Sequence, residues 1–476
     1  MMGWVSIILF GLCVFLLLAY AVYQCVLSLS SSSQEKRRLL ESGPKDSIDF
    51  KVENASVTFQ IALYNEGHVV DGLFQSIIAL DYPQDLIEIQ VLDDSTDGSD
   101  EINAQWVKKL QVSGLKAHHL KRSHREGYKA GALNAGLQQA KGNYIAFFDA
   151  DFRFSPDWLN LSLTGFTSDQ VAAVQTRWVY LNNAKNWITK IQPLALNHHF
   201  INEHLGREKT GAFTTFNGTA ALWEKSAIET VQGFNTETLT EDLNIAYRAQ
   251  LVGYQIKYYP NITADCELPE SLAAYFSQQF RWNKGAAENF QLLKSSLRRL
   301  RGRKRFHALM HLLGSSFYAV TFALFLIGLV LPFMRLSAQQ IHVVSLLSPL
   351  LLVASLSLGV ALYRADRNLK HSSSSLDWVF NFLGYLIVSA GMSYLNTKAV
   401  FEGHLRKPSA FIRTPKEKQL RWKSSRAFPV VEVLITVLSS LSVFMAFETQ
   451  QLALIGMPLF TTLAFAGVSL ALLKGT

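Results

Sequence analysis

The chain has 476 residues, 49% hydrophobic and 17% charged, with a formal net charge of +8. Three cysteines, two of them (Cys13 and Cys25) in the first apolar stretch, exclude a disulfide framework and a thiolate metal site. The basic surplus lies beside apolar blocks rather than on a mixed-composition domain, which argues for anionic lipid and against nucleic acid as its partner.

Residues 4 to 28 carry no charge and are long enough to cross about 30 Å of hydrocarbon at about 1.5 Å per residue. Ala19-Tyr20-Ala21 resembles a signal-peptide cleavage site, but no Lys or Arg precedes the apolar run, so residues 1–30 are expected to be an uncleaved anchor. The first basic cluster, Lys36-Arg37-Arg38, follows the span. The positive-inside rule then places the next domain in the cytoplasm.

Residues 50–266 have the composition of a soluble domain. Short runs rich in β-formers at 56–63, 87–92, 143–148 and 172–178 are separated by segments long enough for helices. Between the first two, Val69, Val70, Leu73, Phe74, Ile77 and Ile78 recur at helical spacing. This is the βαβ pattern of a mostly parallel sheet, in which ligands bind beyond the carboxyl ends of the strands. Polar residues stand at those ends: Tyr64, Asn65 and Glu66 after the first run, Asp93 and Asp94 after the second, Asp149 and Asp151 after the third. Carboxylates gathered in this way can accept hydrogen bonds from a ribose and base, or hold Mg²⁺ or Mn²⁺ against a diphosphate. An isolated Asp-Ala-Asp would more often just close a turn, with Ser155-Pro156 opening the next helix.

Residues 267–305 are expected to form amphipathic interfacial helices ending in the basic run 298–305. Within 306–476, apolar blocks recur at 306–334, 341–363, 376–399, 427–447 and 452–473. If 376–399 crossed the membrane, the basic segment 401–426 would lie outside, against the charge rule. Asp377, Asn381, Ser389, Ser393 and Asn396 within 376–399 suit an interfacial or half-inserted helix, leaving five full spans.

The ordered set VLDDSTD, GYKAGALN, FFDADF, FNGTA, LTEDLNIAYRA and QQFRW, across roughly residues 55–300, resembles the family 2 inverting glycosyltransferases. Within that family the likeness is to plant cellulose-synthase-like mannan and glucan synthases and to bacterial cellulose synthase. The resemblance implies a GT-A-type α/β nucleotide-sugar domain, with a mostly parallel sheet, joined to an α-helical transmembrane region. It implies that Tyr64, Glu66, Asp93 and Asp94 hold base and ribose, that Lys129 lies beside the diphosphate, and that Asp149 and Asp151 bind the metal and sugar diphosphate. Gln278, Arg281 and Trp282 match the Q-x-x-R-W signature that holds the diphosphate and borders the acceptor. Asp242 matches the general base, with Glu241 beside it, and Phe216-Asn217-Gly218-Thr219 matches the mouth of a translocation channel. Phe411, Thr414 and Lys416 resemble a gating loop, with Arg413 where the pattern has valine.

The chemistry asks for the same groups. An inverting transfer needs a base for the acceptor hydroxyl, and a carboxylate in a cleft can serve. Thr238 to Glu241 also fits a helix capping box, a structural reason for the same residues. A departing nucleoside diphosphate is stabilised by a forked cation such as Arg281, while the flat face of Trp282 suits either a sugar ring or a membrane interface. The expected activity is processive synthesis and translocation of a β-linked glucan, mannan or glucomannan. UDP-glucose is the first donor expected and GDP-mannose the second. The alternative is single transfer to a lipid acceptor such as a ceramide or polyprenyl phosphate, and a sugar-binding receptor or transporter is disfavoured by the intact Thr240-Glu241-Asp242.

Overall fold

The computed structural model describes residues 2–41, 54–369, 374–409 and 429–474. Its central element is an eight-stranded sheet. In chain order the strands are β1 Val57–Leu63, β2 Ile87–Asp93, β3 Lys116–Lys121, β4 Tyr144–Phe147, β5 Arg153–Phe154, β6 Val171–Tyr180, β7 Ala221–Glu224 and β8 Gln255–Cys266. They are arranged β3-β2-β1-β4-β7-β6-β8-β5. The first four neighbours run parallel, β7 is antiparallel to both β4 and β6, and β8 returns parallel to β6.

The four runs of β-formers all become strands. The centre of β1 is buried on both faces, and on the neighbouring β4 Ala146 joins Phe59 and Ile61 in one hydrophobic cluster while Ile145 and Phe147 belong to the cluster on the opposite side. Because Leu63 pairs in register with Asp93, the segments Tyr64–Glu66 and Asp93–Asp94 leave the sheet side by side. Four strands escape the apolar pattern. β3, Lys-Ala-His-His-Leu-Lys, is a largely exposed edge, β7 has four residues, β5 two, and β8 alternates buried and half-exposed positions through Pro260.

Five helices among the described residues are long and apolar enough to cross a membrane: Met2–Leu29, Gly314–Phe333, Ala338–Asn368, Val430–Glu448 and Leu452–Lys474. Ile7, Phe10 and Val14 of the first pack with Leu324, Leu331 and Val344 of the second and third. The apolar block beginning at 306 divides, its first part belonging to a separate helix, Gly302–Leu312. The block expected to lie at the interface is a helix pair, Ser375–Gly391 and Ser393–His404, bent by 51°. The bend coincides with close crossings on both arms. A Cβ on Gly391 would lie 2.7 Å from Ala464 O, and one on Gly403 2.5 Å from Lys284 O.

Lys36 is not a lipid-facing charge. It is fully buried, its Nζ donating to Ser28 O at 2.6 Å and Asn202 Oδ1 at 2.7 Å, and burial pulls its pKa down to about 8. The segment after the first apolar helix is thereby tied to the α/β domain. Phe411, Thr414 and Lys416, the gating-like residues, lie outside the described residues.

Candidate active site

A pocket of about 180 Å³ opens where β1, β2 and β4 end. Tyr64, Glu66, Asp94, Lys129, Asp149 and Asp151 line its sheet side. Glu241 and Asp242 face it from the start of the helix Glu241–Leu251, and Gln278, Arg281 and Trp282 from the helix Leu272–Leu297. The last three occupy positions i, i+3 and i+4, which share one helix face. Residues scattered over more than two hundred positions, from Tyr64 to Trp282, thus converge on one pocket.

Asp93 and Phe216 do not line this pocket. Asp93 is 3% exposed and turned into the domain, where its carboxylate accepts from Ser95 N at 3.0 Å and Asn103 Nδ2 at 2.9 Å and lies 2.8 Å from His119 Nε2. Burial would raise its pKa, but these hydrogen bonds prevail and hold it at about 2. Its neighbour Asp94 does face the pocket and receives Arg122 Nε at 3.0 Å. Phe216 is buried between Phe147 and Trp223 and lines a different, larger cavity.

Lys129 Nζ bridges two parts of the site, donating to Asp149 Oδ1 at 2.5 Å and Gly218 O at 3.0 Å. Burial would lower the Lys129 pKa, but Asp149 and Glu241 outweigh it and keep the ammonium charged. Asp149 N donates to Thr219 Oγ1 at 2.9 Å, so the Asp-Ala-Asp turn and the Asn-Gly-Thr turn are bonded together. Asp151 is 6% exposed and accepts from Glu267 N at 3.4 Å. Among the described residues no cluster of three or more His, Cys, Asp or Glu side chains could hold a metal by itself. Two hard carboxylates on one pocket wall, with room beside them for phosphate oxygens, fit Mg²⁺ or Mn²⁺ shared with a diphosphate.

The expected capping box is absent. The helix begins at Glu241, its N-cap is Thr240, and Thr240 makes no side-chain capping bond. Asp242 Oδ1 instead accepts from the adjacent Leu243 N at 2.8 Å, while Oδ2 faces Gly218. Burial, reinforced by the neighbouring Glu241, pushes the Asp242 carboxyl up to about 7. Burial likewise raises Glu241. The turn before them is fixed by the Gln-x-x-Arg-Trp helix: Asn289 Nδ2 donates to Thr240 O at 3.0 Å, and Glu288 Oε2 accepts from Leu239 N at 2.8 Å.

Arg125 was not singled out by the sequence reading. Its guanidinium lies 3.4 Å from the centre of the Tyr64 ring at the pocket wall, a cation–π pair available to a base or diphosphate. Its place four residues before Lys129, in His-Arg-Glu-Gly-Tyr-Lys, was the available signal.

A second cavity, of about 990 Å³, continues from the first into the apolar helices. Asn217, Thr240, Asp242, Gln278 and Trp282 line both. Near the site its wall includes Tyr20, Gln24, His199 and Tyr275, and deeper it becomes Phe10, Leu324, Phe325 and Met457.

Residues 144–363 match the family model described as glycosyl transferase family group 2. Curated relatives include probable glucomannan 4-beta-mannosyltransferase 10 of Arabidopsis thaliana, 36% identical over 241 residues that cover 49% of this chain and 44% of the relative. Another is glucomannan 4-beta-mannosyltransferase 7 of the same plant, 37% identical over 236 residues, covering 48% and 42%. The matched segment therefore spans less than half the length of these relatives. Among solved structures, a mannosyltransferase from Pyrobaculum calidifontis, in complex with GDP-Man and Mn²⁺, aligns with a TM-score of 0.52 at 20% identity, over 76% of this chain and 100% of that one. That likeness is one of fold. Residues 144–363 thus resemble family group 2 glycosyltransferases, in a chain whose fold is similar to that of a solved mannosyltransferase and which has helices long and apolar enough to span a membrane.

Proposed function

We propose that this protein is a membrane-embedded inverting mannosyltransferase that extends a β-linked mannan or glucomannan from GDP-mannose and passes the growing chain into the cavity between its membrane helices. The observation that carries the proposal is the continuity of the two cavities through Asp242 and Trp282. A donor in the smaller pocket and a chain end in the larger one would meet at the same carboxylate. The names of the relatives favour GDP-mannose over UDP-glucose, the donor first expected.

In this reading Asp242 takes the proton of the acceptor hydroxyl while that oxygen bonds to the anomeric carbon and the bond to the diphosphate breaks. A carboxyl whose pKa is pushed up to about 7 is suited to accept that proton near neutrality. Lys129 and Arg281, both on the wall of this pocket, would face the departing diphosphate and balance its growing charge. Asp149 and Asp151 would hold a divalent cation, which when bound neutralises phosphate charge. Tyr64, Glu66, Asp94 and Arg125 are assigned to base and ribose, and Trp282, Asn217, Phe216 and Glu241 to the acceptor end. The domain is placed on the cytoplasmic side of the membrane, on the charge argument, with 1–30 as an anchor and 306–476 as the membrane region.

The apolar depth of the larger cavity supports a second reading, single transfer to an acceptor with a lipid tail. One experiment tests both. Purified protein in nanodiscs is given radiolabelled GDP-mannose or UDP-glucose, and the product is partitioned between organic solvent and an insoluble polymer digestible by β-mannanase. The proposal requires mannanase-sensitive polymer from GDP-mannose. Label moving into the organic phase would favour the second reading, and incorporation from UDP-glucose alone would overturn the donor assignment.

A further inference from the structure

Between the cavity wall and the first apolar helix lies a polar cluster to which none of the motifs assigns a task. Residues His198–His204 form a seven-residue π-helix inserted between the helices Trp187–Asn197 and Leu205–Thr210. Such widened turns are rare and concentrate at functional sites, because they re-aim side chains that a regular helix would send elsewhere. Here the turn presents His199 and Glu203 to the larger cavity, and neither lines the donor pocket.

Glu203 is gripped at both oxygens. Gln24 Nε2, from the first apolar helix, donates to Oε1 at 3.1 Å, and His199 Nδ1 lies 2.8 Å from Oε2. Arg207, 3% exposed, adds its charge at 3.7 Å. The other ring nitrogen of His199 lies 3.1 Å from Asn217 Oδ1. The opposite end of the same amide lies 3.3 Å from His204 Nε2, which is itself 3.0 Å from Thr215 Oγ1. The backbone of Asn217 is fixed as well, its N donating to the buried Gln175 Oε1 at 2.9 Å. Whichever way the amide is turned, both of its ends meet a histidine ring, and one of those rings is oriented by a carboxylate.

Asn217 stands where the two cavities join, one residue from the glycine against Asp242. From this we infer that Glu203 and His199 are positioning residues, which hold the Asn217 amide so that it hydrogen-bonds a hydroxyl of the acceptor sugar and aligns the attacking oxygen with Asp242. The inference rests on the proposed glycosyl transfer to a sugar acceptor. A group acting through Asn217 should affect the acceptor and leave the nucleotide untouched. A merely structural cluster would weaken both together.

The test is a double-mutant cycle on the full-length protein in nanodiscs, using GDP-mannose and a manno-oligosaccharide acceptor, with GDP affinity measured on the same samples. Glu203→Gln and His199→Gln should each raise the acceptor KM about tenfold and leave GDP affinity within twofold of wild type. In an Asn217→Ala background, neither should add a further loss, because the group they position is gone. Glu203→Gln keeps the shape but loses the charge and can accept at one end only, so it cannot hold both Gln24 and His199 as the carboxylate does, and it carries the test if the His199 variant does not fold. Unchanged acceptor KM, losses that multiply in the Asn217→Ala background, or parallel loss of GDP affinity would each overturn the inference while leaving the proposed function standing. Absence of transfer by wild type with every donor and acceptor would overturn the proposed function, and this inference with it.

Discussion

Gly218 backs directly onto Asp242: a Cβ at position 218 would lie 2.8 Å from the carboxylate Oδ2. The glycine also has φ +79°, in the left-handed region that other residues adopt only at a cost. Both facts make the same prediction. Gly218→Ala should displace the Asp242 carboxylate and lower turnover by at least about tenfold, with a stability loss of about 1–3 kcal/mol from backbone strain. Turnover and thermal unfolding measured on one preparation would check this, and near-wild-type turnover would show that the carboxylate does not need its present place.

Asp93 gives a pH prediction. Its folded pKa of about 2 lies below the ordinary value, so its ionised form stabilises the fold. That stabilisation is complete above the unfolded pKa, about 4, and is lost as pH falls through about 2. Asp93→Asn should therefore cost about 2–3 kcal/mol at pH 7, the gap to wild type narrowing steadily below pH 4. Thermal melts across that range would show the convergence, whereas a pH-independent gap would point to lost packing.

The parallel half of the sheet was legible in the sequence because β1, β2 and β4 carry short runs of buried apolar β-formers, and because the chemistry lies at strand ends. β3 was not, since an edge strand facing water has no apolar pattern to read. Asp93 and Asp94 show a similar limit within the site. A motif names both, but the pleat sends adjacent side chains to opposite faces, and just one of the pair reaches the pocket. His199 and Glu203 escaped because their significance depends on a widened helical turn, which leaves no periodic mark in the sequence. The 51° bend at 391–393 had a partial signal in the polar residues of the block, although its geometric basis, the close approaches of Gly391 and Gly403, appears just in three dimensions.

The pair Asp149 and Asp151 bears on metal dependence. Asp151→Asn keeps the volume and the bond from Glu267 N but removes a charge. It should raise the Mn²⁺ or Mg²⁺ concentration for half-maximal activity about tenfold or more, without altering thermal stability in the absence of metal by more than about 1 kcal/mol. Full activity at limiting metal would exclude Asp151 as a ligand.

The orientation of the domain is testable through four glycosylation acceptor patterns, at Asn54, Asn160, Asn217 and Asn261. A cytoplasmic domain never meets the glycosylating enzyme of the secretory membrane, so these sites should stay unmodified when the protein is expressed in a eukaryotic cell. A mass increase removed by an N-glycosidase would reverse the assigned topology.

Whether Asp242 is the base of a glycosyl transfer can be decided by one comparison. Wild type and Asp242→Asn, in the same nanodisc preparation, are assayed for transfer from GDP-mannose and for affinity toward GDP in the presence of Mn²⁺. The amide fills the same volume and can still accept from Leu243 N, but it cannot take a proton from an acceptor hydroxyl. Transfer should fall by about 10²- to 10⁴-fold while GDP affinity is retained. Transfer within a few-fold of wild type in the Asn variant would contradict it.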